Sequence, residues 1–141
     1  MIGVNTMQFN KQLKENKMKK LFLNLKQSSE LQKLGFNEPC FGRYDGKGDN
    51  KGKLWYEMPN SGQDTIPVGD VLAPTFSQAM KWFDDNTELK GFVCPSIKEE
   101  HFDWLIRIDW EEEIECEEAY SSRQEAESAC LDKLIELAKT K

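Results

Sequence analysis

At 141 residues, with a net charge of −6, 38% apolar and 31% charged residues, the chain is sized for one domain that buries about seven-tenths of its unfolded surface. No run approaches the roughly 20 apolar residues that span a bilayer, which excludes a membrane-spanning helix. The charge is uneven: residues 1–27 hold six lysines against one glutamate, a local +5 that leaves −11 on the remainder. An acidic body repels nucleic-acid phosphates, so only the basic lead would attract them.

This division predicts a basic lead-in over residues 1–27, partly flexible or a short helix, followed by a single domain over 28–141. Met18, Leu21, Phe22 and Leu25 fall at i, i+3, i+4 and i+7, one face of a short helix docked on the core. The residues before them mix Asn, Gln and Lys and read as an irregular lead. Asn24 and Lys26 end the apolar run at Leu21–Leu23 below the length of a signal sequence, so the expected location is cytoplasmic. Cys40, Cys94, Cys116 and Cys130 form no CxxC or Cys/His cluster, and are expected to be reduced and buried.

Ser28 or Ser29 is placed to cap a helix over Glu30–Leu34, with Gly35 as its left-handed stop. Cys40–Tyr44 and Lys53–Met58 read as two strands joined by a glycine-rich loop from Asp45 to Gly52. That loop lacks both the alternating acids of a calcium loop and the GK[ST] of a phosphate cradle, and reads as a polar hairpin tip. After a polar connection over Pro59–Asp70, Thr75 and Gln78 form a capping box for a helix striped with Phe76, Ala79, Met80 and Phe83.

Gly91–Ile97 reads as a strand edged at Pro95. In His101–Glu118 every second residue from Phe102 to Trp110 is apolar, the period of a strand with one buried face. Glu112 falls on that apolar side, where an unpaired carboxylate is costly, so the chain is expected to bend or turn there. Ser122 and Glu125 open a last helix lined by Ala126, Cys130, Leu134, Leu137 and Ala138, and widened by Leu131 and Ile135. The expected fold is α+β, an antiparallel sheet of four or five strands with two main helices packed on one face.

The residues meet the requirements of no catalytic centre. His101 is the sole histidine and no nucleophile motif accompanies it, although Asp103 shares its strand face. No cofactor is expected, and no metal site, since one histidine and scattered cysteines do not close a zinc set. Glu88-Leu89-Lys90 satisfies an E-x-K spacing, and the acidic strand supplies carboxylates for a metal-dependent phosphodiesterase. Neighbours at i+2 on a strand are about 7 Å apart, however, too far for a tight one-ion cage.

The density of carboxylates points instead to binding. Asp109, Glu111, Glu113, Glu115 and Glu117 share one face if the alternation persists, and would engage a basic protein surface. The alternative is a nucleic-acid module using Lys11, Lys14, Lys17, Lys19 and Lys20, with Tyr44, Trp55 and Tyr56 for stacking. The bland reading of the acidic row is a solvated face that keeps a sheet edge from pairing with other chains.

Three stretches carry a resemblance: Leu34-Gly35-Phe36-Asn37-Glu38-Pro39-Cys40, Ala73-Pro74-Thr75 running to Trp82-Phe83, and Tyr120-Ser121-Ser122 running to Leu137. Over most of residues 31–139 the chain resembles small proteins encoded in phages and prophages of gut Bacteroidota-type bacteria. The resemblance implies an accessory phage protein of α+β fold in the cytoplasm of a bacterial host. The family carries no assigned activity, and so implies no catalytic residue.

Overall fold

The computed structural model describes residues 2–56, 59–96, 100–109 and 111–140. Met58, Ile97 and Trp110, which the sequence reading placed on strands, lie outside the described residues. The chain runs α1 (Ile2–Lys19), α2 (Leu25–Lys33), β1 (Gly42–Tyr44), β2 (Leu54–Trp55), β3 (Val71–Ala73), α3 (Phe76–Asn86), β4 (Lys90–Ser96), β5 (His101–Arg107), β6 (Glu113–Glu115) and α4 (Arg123–Lys139).

The α+β class holds, but the single sheet does not. Two three-stranded antiparallel sheets form, in the orders β2-β1-β3 and β4-β5-β6. The strand unread in the sequence is β3, whose three residues are too few to show a period. It pairs Gly42 with Ala73 and Tyr44 with Val71, and so completes the first sheet. The second sheet is centred on β5, which pairs along its whole length with β4 on one side and through Leu105–Arg107 with β6 on the other. Among the described residues there are four α-helices, so α1 and α2 stand beside the two main helices expected.

The expected Met18–Leu25 helix is split. Helix α1 ends at Lys19, because the next residues are taken by the segment between β3 and α3. Leu23 N donates to Pro74 O at 3.0 Å, Phe76 N donates to Leu21 O at 3.1 Å, and Phe22 bridges Thr75. Helix α1 covers residues expected as an irregular lead, and its described side chains from Asn10 to Lys19 are exposed.

Helix α2 starts earlier than the serines suggest. Asn24 caps it, accepting from Gln27 N at 2.7 Å while Gln27 Oε1 accepts from Asn24 N at 3.1 Å, a complete capping box. Ser28 is buried inside the helix. The C-terminus follows expectation. Gly35 at φ 108° lets Gly35 N reach Gln32 O and Phe36 N reach Leu31 O, closing the last turn.

Thr75 caps α3 by accepting from Gln78 N at 3.2 Å, but the Gln78 amide turns away to Pro39 O at 2.6 Å, so only half the capping box forms. Phe76, Ala79, Trp82 and Phe83 are buried, and Trp82 meets Phe83 edge-on with centroids 5.2 Å apart. Ser122 caps α4 by accepting from Glu125 N. From α4, Ala126, Cys130, Leu131, Leu134 and Ile135 are buried, and the helix packs on β4 and β5. Trp104 and Ile106 of β5 enter this core, each large apolar side chain contributing about 1.5–3 kcal/mol. Helix α2 is fastened to α4 through the Gln27 amide, which donates to Ser128 Oγ at 2.9 Å and Asp132 Oδ1 at 3.0 Å.

Candidate functional site

The second sheet has one covered and one open face. The side that carries Trp104 and Ile106 is buried in the core with α4. Cross-strand partners in an antiparallel sheet point the same way, so the register Lys90↔Arg107, Phe92↔Leu105 and Cys94↔Asp103 places these residues together on the other side. Phe92 there is 42% exposed and Cys94 is exposed. The expectation of four buried cysteines therefore holds for Cys40 and Cys130 only, since Cys116 is half-buried. The sequence reading did not pick out Phe92 as a surface residue, although it shares the parity of Cys94.

The acidic row is not one continuous face. Asp109 Oδ1 accepts from Glu111 N at 2.7 Å and from Glu112 N at 3.0 Å, and Ile108 N donates to Glu112 O at 2.9 Å. These bonds build a tight reversal that takes Glu112 off the apolar face, as its burial cost requires. Asp109 and Glu111 thus lie in the turn, Glu113 and Glu115 on β6, and Glu117 beyond it, all five exposed. Ile114 faces the core opposite Ile106, while Glu113 stands opposite Arg107 and donates no charge to the interior. The Arg107 guanidinium bonds Glu113 Oε1 at 3.0 Å on the exposed side.

Strand β6 lies at the sheet edge. Ile108 N bonds Glu112 O and Cys116 N bonds Trp104 O, so by the alternation of an antiparallel ladder Ile114 turns its backbone groups toward β5. The N–H and C=O of Glu113 and Glu115 then point outward.

Lys11, Lys14, Lys17, Lys19 and Lys20 are all exposed. At about 100° per residue, those on α1 spread around more than half of its circumference and do not form one stripe. The three aromatics are occupied in packing: Tyr44 Oη donates to Leu23 O at 2.7 Å, Lys53 Nζ lies 4.0 Å over the Trp55 ring, and Tyr56 meets Phe22 with centroids 5.8 Å apart.

His101 Nε2 is 3.2 Å from Asp103 Oδ1, and the Cys116 thiol is 3.8 Å from the same oxygen. The carboxylate stands in the middle, where thiol activation needs the imidazole. Glu88 and Lys90 of the E-x-K spacing line a cavity of about 410 Å³ with Arg107, Ile108 and Asp109. Its cations are already engaged, Lys90 by Asp84 at 2.9 Å and Arg107 by Glu113. Among the described residues no three of His, Cys, Asp and Glu converge on a metal position, and no helix is long and apolar enough to cross a membrane. No protein-family model matches the chain, and neither a curated protein nor a solved structure matches it.

Proposed function

We propose that this is a non-enzymatic accessory protein that acts by binding another protein through the acidic strand β6 and its flanking turns. The observation that carries the reading is the position of exposed Asp109, Glu111, Glu113, Glu115 and Glu117 along the edge of a sheet with one uncovered face. Carboxylates so placed steer and orient a basic partner surface, and their contribution falls with salt. The resemblance to phage and prophage proteins makes the partner a host or phage protein in the bacterial cytoplasm. The test is affinity capture from a bacterial host lysate with the wild-type chain and with Glu113→Lys, Glu115→Lys and Glu117→Lys combined. The reading expects a protein retained by the wild type at low salt, and lost both at moderate salt and with the triple variant. Retention by the triple variant overturns it.

A second reading rests on the exposure of Lys11, Lys14, Lys17, Lys19 and Lys20. Helix α1 would hold nucleic-acid phosphates, with an affinity for single-stranded DNA that declines steeply with salt. Binding indifferent to salt and to removal of residues 1–17 overturns this alternative.

A further inference from the structure

We infer that β6 takes its partner by strand addition, pairing antiparallel with an extended segment of the form basic–apolar–basic. This rests on the acidic-edge reading above and specifies its ligand. The outward N–H and C=O of Glu113 and Glu115 are a template for two residues of an incoming strand, each exchanging a pair of backbone bonds. Side chains of directly opposed residues share a face with Cβ atoms about 5 Å apart. The two residues that bond Glu113 and Glu115 therefore set their side chains beside these carboxylates, where lysine or arginine pairs with Glu115 and shares Glu113 with Arg107. The residue between them falls beside Ile114, on the side of the core, which selects an apolar side chain.

Two further observations single out this edge and this partner. The opposite edge is blunted: the same alternation turns Gly91, Val93 and Pro95 of β4 outward, and Pro95 has no N–H to give. A second copy of β6 is disfavoured as the occupant, because Glu113 and Glu115 would stand against like charges. Asp109 and Glu111 at one end of β6 and Glu117 and Glu118 at the other extend the field to residues beyond the paired core of the segment.

The test is fluorescence anisotropy of the full chain with three labelled synthetic peptides: one alternating lysine and valine, the same peptide N-methylated at its two central lysines, and one with glutamate for lysine. Strand addition expects the first to bind, the second to bind about tenfold more weakly or worse because two backbone donors are gone, and the third not to bind. Equal affinity of the first two overturns strand addition while leaving the acidic-edge reading standing. Failure of the lysine peptides to bind at all overturns both, and leaves the carboxylates as guards of the edge. On the protein side, Glu115→Pro removes an outward N–H that β5 does not use, and should weaken the lysine peptide about fivefold beyond Glu115→Gln. Equal weakening by the two variants also overturns the inference, and the N-methyl comparison decides alone if the proline variant does not fold.

Discussion

Arg43 on β1 and Asp70 at the entry to β3 form an ion pair whose carboxylate is only 3% exposed. The other carboxylate oxygen accepts from Gly46 N at 2.9 Å, and the Asp70 carbonyl accepts from the Gln63 amide at 2.6 Å. One side chain thus ties the hairpin loop to β1, and its backbone anchors the long polar connection. Removing it leaves a half-buried guanidinium and an orphaned N–H. Asp70→Ala should cost about 3 kcal/mol, read as a lower urea midpoint, whereas Asp49→Ala at the exposed hairpin tip should change little.

Gly42, Gly46 and Gly91 are required by close packing rather than by backbone conformation. A Cβ on Gly42 would strike the Ala73 carbonyl and lie 2.7 Å from the Phe22 ring, while one on Gly91 would meet Met80 Cε at 2.8 Å and Cys130 Sγ at 3.0 Å. The Met80 end can swing aside, whereas the Ala73 backbone is held in the β1–β3 ladder. Gly91→Ala should cost about 1–3 kcal/mol, and Gly42→Ala should cost more. A larger loss of thermal stability for Gly91→Ala would contradict this ranking.

The four thiols should separate by reactivity. Burial pushes Cys130 up to about 12 and Cys40 up to about 11, from an ordinary 9.0. Cys94 is exposed on the open sheet face. Under native conditions iodoacetamide should label Cys94 first and Cys40 and Cys130 only on unfolding, as read by peptide mass spectrometry.

The same shifts predict a pH dependence. In the unfolded chain these thiols release their protons near pH 9.0, but the folded chain holds them until about 11 and about 12. The stabilisation is complete below about 9 and is lost as pH rises toward 12. Burial also raises Tyr44 from 10.0, with the same sign. The urea midpoint should therefore fall through this window, and less steeply for Cys130→Ala.

Helix α1 should be dispensable for folding. Its described side chains are exposed, and an isolated helix of this kind is marginal in water. A chain beginning at Lys19 should keep its melting temperature, while any salt-sensitive affinity for single-stranded DNA should disappear with the helix. A large loss of stability would show that α1 is part of the core.

Much of the local structure was legible in the sequence because its causes are local. Thr75 and Ser122 cap helices through the residue three positions on, Gly35 ends α2 by its left-handed φ, and the alternation from Phe102 to Ile108 places Trp104 and Ile106 in the core. The turn that removes Glu112 from the apolar face was legible too, since burying a lone carboxylate is costly. The acidic residues of the candidate site could be named from the sequence, but not their arrangement. Asp109 and Glu111 separate from Glu113 and Glu115 because the Asp109 side chain closes a turn instead of extending the strand.

What only the tertiary structure decided depends on partners distant in the chain. The start of α2 at Asn24 is coupled to Gln27 reaching Ser128, a residue 101 positions away, and the break after α1 follows from Leu21 and Leu23 bonding the entry to α3. The division into two sheets turns on Val71–Ala73, three residues with no period of their own that become a strand because β1 offers an edge. Sequence periodicity assigns a residue to a face of its own element; which element that face meets, and which edge stays open as β6's does, follows from the competition among distant hydrogen-bonding partners.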